Sequence, residues 1–395
     1  MAKTKISKER KENLIALAKL MRSQGTRQIY ITPELIDCFE AVITPEENAF
    51  LLRMGTEPQT FDQVASLSDL PEDRFRPFLE TMSKKGLIWS EFKESGEEVY
   101  VLAPILVGWF EMYLCDGRET PEKLEFARRV DKYVKSAKKI NFFPLRNLLN
   151  YKHKRKSVSH TSIVLPEPFG DKPKTIEVKV DQSLKSSDME VYPAKDVYEI
   201  IEKYGDKNKI ALVHCICRYI HKTIDEPCRF EIPMESCIAL GDIVDYGLKY
   251  GKGRLITKEE ALEILEDVAE KGAIHQVFHE KDDINRPEFA ICNCCWDCCE
   301  LIGAYNRGLI PLRFRSYYVA EVIDGEACTG CGTCVKFCPV GATSVVNKKS
   351  QIDEEKCIGC GQCQMKCPEG VISLRSEERE VILPLLKSSE ARIKI

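Results

Sequence analysis

Eight cysteines towards the C-terminal end of the chain repeat one spacing. Residues 328–339 read CTGCGTCVKFCP and residues 357–368 read CIGCGQCQMKCP, so both fit the pattern C-x2-C-x2-C-x3-C-P. Each cysteine of the second motif lies 29 residues after its counterpart in the first. A cubane 4Fe–4S cluster offers four iron corners to four thiolates, and three cysteines separated by two residues can wrap three of these corners. The repeat therefore predicts two such clusters.

The fourth cysteine of each motif is expected to bind the cluster of the other motif, because this crossing accompanies the spacing in proteins with two clusters. Cluster I would be bound by Cys328, Cys331, Cys334 and Cys367. Cluster II would be bound by Cys357, Cys360, Cys363 and Cys338. Glycines let backbone N–H groups approach the cluster sulfides, and those between the ligands are Gly330, Gly332, Gly359 and Gly361.

Residues 317–375 resemble a bacterial-type ferredoxin with two 4Fe–4S clusters, and every ligand position agrees with the pattern of that family. The resemblance covers about 15% of the chain and implies one-electron transfer at low potential. The aliphatic neighbours Val335, Ile358 and Met365 would limit water near the sulfides and so tune the potential. Zinc is the competing interpretation. It is disfavoured because structural zinc sites pair two C-x2-C units.

Nine further cysteines lie upstream, between residues 215 and 299. A third cluster could take its thiolates from four cysteines that span 23 residues, namely Cys215, Cys217, Cys228 and Cys237. One of its ligands could instead come from residues 292–299. Zinc, or buried or redox-active thiols, are the alternatives for this group. Arg218 would offset the negative charge of a thiolate-bound cluster, and a surface salt bridge is its alternative role.

The segment CNCCWDCC places five cysteines in eight positions, namely Cys292, Cys294, Cys295, Cys298 and Cys299. Two adjacent cysteines cannot easily both reach one cubane. The predicted ligands of a further cluster are therefore Cys292 and one cysteine of each adjacent pair, with a partner from the upstream segment. Nitrogen ligation is a weaker hypothesis for the nearby histidines, which are more often framework residues, namely His214, His275 and His279.

The whole chain resembles a broad set of multi-cluster 4Fe–4S proteins of anaerobic metabolism, because CxCR and a cysteine-rich segment precede the ferredoxin motifs. The implied class is α+β, with a winged-helix-like N-terminal domain, a cysteine-rich α/β middle domain and a ferredoxin-like C-terminal dicluster domain. The predicted limits are 1–118 for the first domain and 119–200 for a connector with a basic loop. They are 201–312 for the middle domain, 313–378 for the dicluster domain and 379–395 for a tail.

Residues 33–115 show the pattern of helices followed by a β-hairpin, which resembles a winged helix. A capping box at residues 44–47 begins one helix, and a later helix contains Pro77, where a kink is expected. Winged helices often bind DNA, and phosphate binding needs a basic face. Residues 45–102 contain twelve acidic and six basic side chains. A scaffold or protein-docking role is therefore favoured over DNA binding.

The composition favours a cytoplasmic protein whose cysteines are reduced metal ligands. The chain has 19 cysteines, its first residues lack the features of a signal peptide, and its apolar runs are too short to span a bilayer. Cys38 and Cys115 are expected to be buried apolar residues. The basic run at residues 151–156 favours a solvated loop, with docking of an acidic partner as the alternative.

The leading functional hypothesis is an iron–sulfur electron-transfer protein or subunit. Two ferredoxin-type clusters, with one or two more upstream, would serve a partner oxidoreductase such as a flavoprotein or reductase. The sequence contains no P-loop, G-x-G-x-x-G or H-E-x-x-H motif, so a non-catalytic role is favoured. One alternative is a redox-sensing winged-helix transcription regulator. The other is a reductase with an active-site cluster in the cysteine-rich domain.

Overall fold

The computed structural model describes residues 6–24, 29–93, 95–141, 194–205, 207–279, 288–309 and 318–376, with short strands at 163–164, 175–176 and 189–192. Helices and strands occur together along the chain, which confirms the α+β class. None of the helices in these ranges is long and apolar enough to cross a membrane. The basic run at 151–156 and the tail at 379–395 lie outside the described residues.

The front of the chain combines helices with a small sheet. Its first helices are α1 (Lys8–Gln24), α2 (Pro33–Val42), α3 (Pro45–Met54), α4 (Phe61–Ala65) and α5 (Glu72–Lys84). Its strands are β1 (Gln59–Thr60), β2 (Ile88–Phe92) and β3 (Glu98–Leu102), which form an antiparallel sheet in the order β1-β3-β2. This order of elements agrees with the winged-helix prediction, and membership of that fold family stays a prediction.

The predicted capping box begins α3. The Thr44 hydroxyl accepts a hydrogen bond from the Glu47 N–H at 3.2 Å, and the Glu47 carboxylate accepts one from the Thr44 N–H at 2.8 Å. The buried Glu47 also forms an ion pair with Lys85 at 2.8 Å, which ties the start of α3 to the end of α5. Helix α5 continues on both sides of Pro77, so the predicted kink does not end the helix.

Trp109 lies at the centre of an aromatic core in the front region. Its ring centroid is 4.7 Å from that of Phe39, 5.2 Å from that of Phe110 and 5.3 Å from that of Phe126. Two of these partners come from α6 (Phe110–Leu114) and α7 (Pro121–Asn141). The same core includes Tyr219 and Ile220, which follow Cys217 and Arg218 directly on α9 (Ile216–Thr223). The front core therefore supports the start of the cysteine-rich segment.

Replacement of Trp109 by alanine is expected to lower the free energy of unfolding by about 3–5 kcal/mol, because a fully buried large side chain leaves a cavity. Guanidinium titration of the anaerobic protein measures the effect. Phe92→Ala is the matched control, since Phe92 is 56% exposed and should change stability by less than about 0.5 kcal/mol. Equal losses in the two variants would contradict the central position of Trp109.

A six-stranded antiparallel sheet forms the middle region. Its strands are β6 (Met189–Tyr192), β7 (Ile210–His214), β8 (Glu235–Leu240), β9 (Arg254–Leu255), β10 (Ile274–His279) and β11 (Glu288–Cys294). Their spatial order is β6-β10-β11-β8-β7-β9. Strands far apart in the sequence, such as β8 and β11, are therefore neighbours. The two-residue strands β4 (Ile163–Val164) and β5 (Thr175–Ile176) pair separately with each other.

One face of this sheet is covered by two helices. α8 (Ala194–Gly205) and α11 (Lys258–Glu270) bury a core against it that contains Ile238, Val277 and Ile291. Side chains alternate between the two faces of a strand. The neighbours of these apolar residues, which are Cys237, Gln276 and Cys292, therefore lie on the opposite face.

The front and middle regions are held together by buried polar contacts. Tyr246, on α10 (Ile243–Lys249), donates its hydroxyl to the carbonyl oxygens of Ser83 at 2.7 Å and Ile88 at 3.2 Å. Lys252, 2% exposed, donates to the Lys84 carbonyl at 2.6 Å. These bonds fix the end of α5 and the start of β2 against the middle region.

The C-terminal region is a structural repeat. Its elements are β12 (Tyr318–Val322), α13 (Thr333–Lys336), β13 (Thr343–Val346), β14 (Lys349–Ile352), α14 (Gln362–Met365) and β15 (Ile372–Ser376), preceded by α12 (Ile302–Asn306). Each half reads strand, helix, strand. The outer strands β12 and β15 pair antiparallel, as do the inner strands β13 and β14. The repeated motifs therefore occupy equivalent positions in two halves of one unit.

Candidate metal centres

Two cavities in the C-terminal region are each lined by four cysteines. The first, called site I, is lined by Cys328, Cys331, Cys334 and Cys367. The second, called site II, is lined by Cys338, Cys357, Cys360 and Cys363. Each cavity combines three cysteines of one motif with the last cysteine of the other, which is the expected crossing. The two cavities are equally large, each with about 320 Å³ of space that is partly open to solvent.

Backbone N–H groups point at the sulfurs of both sites. The N–H of Ala342 donates to the Cys338 Sγ at 3.0 Å, and the N–H of Ala320 donates to the Cys357 Sγ at 3.4 Å. In site I the N–H of Ser350 donates to the Cys328 Sγ at 3.4 Å. Such bonds stabilise thiolates bound to a cluster and help to set its potential. The donor set and its surroundings therefore fit a 4Fe–4S cluster in each site.

The glycines of the two motifs adopt matching conformations. Gly330 and Gly332 have φ values of 69° and 77°, and Gly359 and Gly361 have values of 72° and 77°. These values lie in the left-handed region that favours glycine. A Cβ atom at Gly330 would also lie 2.4 Å from the Lys348 carbonyl oxygen. The motif loop therefore depends on glycine for both its conformation and its close approach to the β13–β14 hairpin.

Sites I and II differ in exposure. Cys331 of site I is exposed, whereas Cys363 of site II is buried. Burial raises the pKa of Cys363 to about 12, so its thiolate needs a positively charged partner such as a cluster iron. Of the aliphatic residues expected to limit water, Ile358 is 1% exposed, but Val335 and Met365 are 41% and 42% exposed. These two side chains therefore lie at the surface and leave water access largely open on their side.

Six upstream cysteines form a second kind of site, called the six-cysteine ring. Each thiol is hydrogen-bonded to two others, and the bonds close a ring in the order Cys215, Cys217, Cys299, Cys294, Cys292 and Cys237. Hydrogen bonds from Cys217 and Cys237 hold the pKa of Cys215 well below its ordinary value. Those from Cys237 and Cys294 lower the pKa of Cys292 to about 5. Hydrogen bonds within the ring raise the pKa of Cys217, Cys237 and Cys294 well above its ordinary value, so thiolates and thiols alternate around the ring. The three thiolates are in the form that binds metal.

The sheet brings the ring together. The pairing of β8 with β11, Ile238 opposite Ile291, brings Cys237 next to Cys292. The Cys294 side chain lies on the same face as Cys292 because two residues separate like-facing positions. Cys215 directly follows β7, and its N–H donates to the Met234 carbonyl at 2.8 Å, which holds it beside β8. The ring therefore depends on strand pairings between distant segments.

The ring sulfurs also accept hydrogen bonds from outside the ring. The buried Gln276 donates its side-chain amide to the Cys294 Sγ at 2.8 Å. The N–H groups of Glu300 and Leu301 donate to the sulfurs of Cys217 and Cys299, each at 3.4 Å. These donors resemble the N–H···S bonds of sites I and II, and they would stabilise bound thiolates in the same way.

The remaining three upstream cysteines form a separate group with one carboxylate, called the tricysteine site. Its members are Cys228, Cys295, Cys298 and Asp297, whose ligand atoms all lie within 4.8 Å of one another. Cys295 and Cys298 are each 1% exposed. The Cys228 Sγ lies 3.9 Å from Asp297 Oδ1. The group therefore has the donors of a metal site and little contact with water.

The structure divides the upstream cysteines differently from the expected grouping. Cys228 lies in the tricysteine site, away from Cys215, Cys217 and Cys237, with which the sequence groups it. Each adjacent pair is divided between the two sites. Cys294 and Cys299 face the ring, whereas Cys295 and Cys298 face the tricysteine site. This division follows from geometry, since adjacent side chains diverge and cannot easily point at one centre.

Arg218 lies between the two upstream sites. It is 2% exposed, which argues against the alternative of a surface salt bridge. Burial by itself lowers its pKa, but the negative charge of the cysteines outweighs burial and the pKa is raised. The cysteines responsible are Cys215 and Cys237 of the ring and Cys295 and Cys298 of the tricysteine site. Arg218 therefore supplies one buried positive charge to both groups of thiolates.

The guanidinium of Arg218 also links the segments that carry the cysteines. It donates to the Pro233 carbonyl at 3.1 Å, to the Ser236 hydroxyl and to the Asn293 carbonyl. Ser236 precedes Cys237, and Asn293 lies between Cys292 and Cys294. Arg218 thus holds β8 and β11 in the positions that close the ring.

The histidines near these sites have other partners. The His275 ring contacts the Asn293 side-chain oxygen at 2.6 Å through Nδ1, on the face opposite Gln276. Burial lowers the pKa of His275 to about 4. His214 Nδ1 lies 3.8 Å from a Glu235 carboxylate oxygen, and the His279 side chain lies outside the described residues. Cys38 and Cys115 are buried in the front region, as expected.

Gln276 and Asp297 are the site residues that sequence reasoning misses. Asp297 stands inside CNCCWDCC, and an acidic residue among cysteines is a signal of metal ligation that the spacing of cysteines alone does not show. Gln276 has a weaker signal, an amide at an inward position of an apolar strand. Its role becomes visible only once β10 is paired with β11, where Gln276 lies opposite Cys292.

One hydrophobic core contains cysteines from three of these sites. They are Cys294 and Cys299 of the ring, Cys334 of site I, and Cys357 and Cys363 of site II. Gln362, which precedes Cys363, donates to the Ala273 carbonyl at 2.6 Å, and Ala273 precedes β10. The C-terminal region is therefore docked on the ring side of the middle region, with site II at the junction.

Comparison with known proteins supports the assignment of the C-terminal region. The family model of the 4Fe-4S dicluster domain matches residues 320–368, which include all eight cysteines of sites I and II. The match confirms a ferredoxin-type domain at this position and supports 4Fe–4S clusters as its cofactors. Comparison of the chain with curated proteins gives no match.

Proposed function

We propose that the chain is an iron–sulfur electron-transfer protein that passes low-potential electrons to a partner oxidoreductase. The observation that carries this proposal is the pair of equal cavities, each lined by three cysteines of one motif and one of the other. The residues that would hold two clusters are the eight cysteines of sites I and II. When bound, a 4Fe–4S cluster accepts and releases one electron at a time.

We further propose that the six-cysteine ring holds a third iron–sulfur centre. Its thiols are buried or half-buried, three of them favour the thiolate form, and Gln276 and two backbone N–H groups donate hydrogen bonds to the ring sulfurs. Four thiolates suffice for a cubane, so six exceed that requirement by two. A cubane would leave two thiols unbound, whereas a larger cluster would use all six.

The positions of the ring, site II and site I support a role in electron transfer between an interior centre and the protein surface. The ring and site II share a core, and site I reaches the surface at the exposed Cys331. Aliphatic side chains beside it, Val335 and Val345, are also exposed and line or adjoin site I. A partner protein can therefore approach site I closely. The front region, whose residues 45–102 contain twelve acidic and six basic side chains, would serve as a scaffold or docking unit.

Iron analysis of the anaerobically purified chain tests the number of centres. About twelve irons per chain are expected if sites I and II and the ring each hold a cubane. About eight would mean that only sites I and II are loaded, and clearly more than twelve would mean a larger cluster in the ring or a further cluster at the tricysteine site. Absence of any EPR signal after reduction with dithionite would contradict the electron-transfer function itself.

A further inference from the structure

The tricysteine site is more compact than the other cysteine sites. Among the described residues, it is the one group of three or more His, Cys, Asp or Glu side chains whose ligand atoms all lie within 4.8 Å of one another. The cysteines of sites I and II, which fit cubanes, are spread more widely by this measure. The tricysteine site therefore has room for a smaller group.

A single ion matches these dimensions. With metal–sulfur bonds of about 2.3 Å, a tetrahedral ion holds its ligand atoms roughly 3.8 Å apart. The Cys228 Sγ and Asp297 Oδ1 already lie 3.9 Å apart. A cubane places its four thiolates on four different irons, so it needs wider separations than the site offers. Size thus favours one metal ion over a cluster.

The donor set selects the kind of ion. Three thiolates and one carboxylate are soft and borderline ligands, which suit zinc and disfavour magnesium and calcium. Four protein ligands complete a tetrahedron and leave no position for substrate, as in structural zinc sites. The odd oxygen ligand distinguishes this site from sites I and II, whose linings supply four cysteines each.

The surroundings hold the ligands in place. Asp297 Oδ1 accepts the Cys298 N–H at 2.8 Å, and Oδ2 accepts the Arg229 N–H at 2.8 Å. The Trp296 ring packs against Phe230 at 5.1 Å between centroids and limits water on that side. Supporting bonds of this kind orient ligands and raise metal affinity. In the tricysteine site, such bonds hold the Asp297 carboxylate and the loop that carries Cys228.

We propose that Cys228, Cys295, Cys298 and Asp297 bind one tetrahedral zinc ion as a structural site. The ion fixes the turn at residues 295–298 to the loop at residue 228. Cys294 and Cys299 flank this turn and face the six-cysteine ring. The zinc site therefore positions two ligands of the neighbouring ring without taking part in electron transfer.

A pair of cysteine variants in the full chain tests this assignment. The wild-type protein, purified anaerobically, is expected to contain about one zinc per chain in addition to its iron. Cys228→Ala should lose the zinc and keep at least the iron of sites I and II, which share no ligand with the zinc site. A ring variant that combines Cys237→Ala, Cys292→Ala and Cys294→Ala leaves three ring cysteines, so it should keep the zinc and lose about four irons. Zinc and iron are measured separately, so failure of the electron-transfer proposal would not affect the zinc result.

Two outcomes of this comparison would overturn the proposal. One is a wild-type protein without zinc in which Cys228→Ala removes about four irons, which would mean a cubane. The other is wild-type zinc that survives in Cys228→Ala, which would mean zinc bound elsewhere. Circular dichroism checks that both variants fold. If Cys228→Ala does not fold, Asp297→Asn replaces it, with a zinc affinity expected to fall about 10–100-fold.

Zinc-edge X-ray absorption gives a readout that iron does not disturb. The expected shell contains three sulfurs at about 2.3 Å and one oxygen at about 2.0 Å. Asp297→Cys should convert it to four sulfurs at about 2.3 Å. A shell dominated by nitrogen and oxygen, or one unchanged by Asp297→Cys, would refute ligation by this group.

Discussion

Replacement of Cys338 by alanine is expected to disrupt the cluster bound by the second motif and to leave the cluster of its own motif intact. Cys338 lines site II together with Cys357, Cys360 and Cys363, whereas site I keeps all four of its cysteines. The loss should approach about four irons per chain. The EPR interaction between two neighbouring reduced clusters should disappear, and the signal of one isolated cluster should remain.

Two double variants decide whether the fourth ligand of each cluster comes from the other motif or from its own motif. Two changes within one site should remove no more than one cluster, whereas changes in two independent sites should add up and affect both clusters. Cys338→Ala with Cys360→Ala affects only site II, so site I should retain a complete 4Fe–4S cluster. Cys338→Ala with Cys331→Ala affects both sites and should leave neither with four cysteines. Anaerobic iron and sulfide analysis and EPR of the reduced proteins measure the difference.

Local ligation would reverse the two results. If each motif bound its own cluster, Cys338→Ala with Cys331→Ala would keep one complete cluster, and Cys338→Ala with Cys360→Ala would keep none. Cys38→Ala is the control for loss of a cysteine outside the sites, because Cys38 is buried in the front region. It should retain the wild-type iron content and EPR spectrum.

The motif cysteines could be predicted from sequence because their arrangement is local. Three ligands of each site lie within seven residues, and short glycine-containing loops fix their separation. The fourth comes from a repeat with a constant offset, so a general spacing rule supplies it. The helix begun by the Thr44 capping box was equally predictable, because its signal is also local.

The upstream sites depend on information that the sequence does not carry locally. Cys237 and Cys292 come together only because β8 and β11 are neighbours in the sheet, although β9 and β10 lie between them in the chain. Cys228 lies in a loop, where no strand pairing fixes which residues are neighbours. Its position could therefore not be inferred from its spacing in the sequence. Steric divergence of adjacent side chains is a local rule, and the structure agrees with it, because Cys294 and Cys295 face different groups of cysteines.

Replacement of Arg218 by methionine is expected to lower the reduction potential of the centre in the six-cysteine ring. Reduction adds negative charge, and a buried cation stabilises the reduced form more than the oxidised form. A nearby unit charge contributes about 2–3 kcal/mol at an effective dielectric constant of 20. For a one-electron couple this corresponds to a shift on the order of 100 mV towards more negative values.

Arg218→Met is also expected to destabilise the protein, because the thiolates near it lose a buried counter-charge. Removal of one partner from a buried ionic group costs about 3–5 kcal/mol. The hydrogen bonds of Arg218 to Pro233, Ser236 and Asn293 are lost as well. Redox titration followed by EPR measures the potential, and guanidinium titration of the anaerobic protein measures the stability.

Arg218→Lys separates the charge from the hydrogen bonds. Lysine keeps the positive charge but lacks the planar fork that reaches three oxygens, so the potential should stay near that of the wild type while the stability falls. Arg254→Met is the matched surface control, because Arg254 forms only an exposed ion pair with Glu260. A shift in Arg218→Lys as large as in Arg218→Met would show that Arg218 acts through its hydrogen bonds and not through its charge. An unchanged potential in an Arg218→Met protein with full iron content would show that neither the charge nor the hydrogen bonds of Arg218 affect the potential of the centre in the ring.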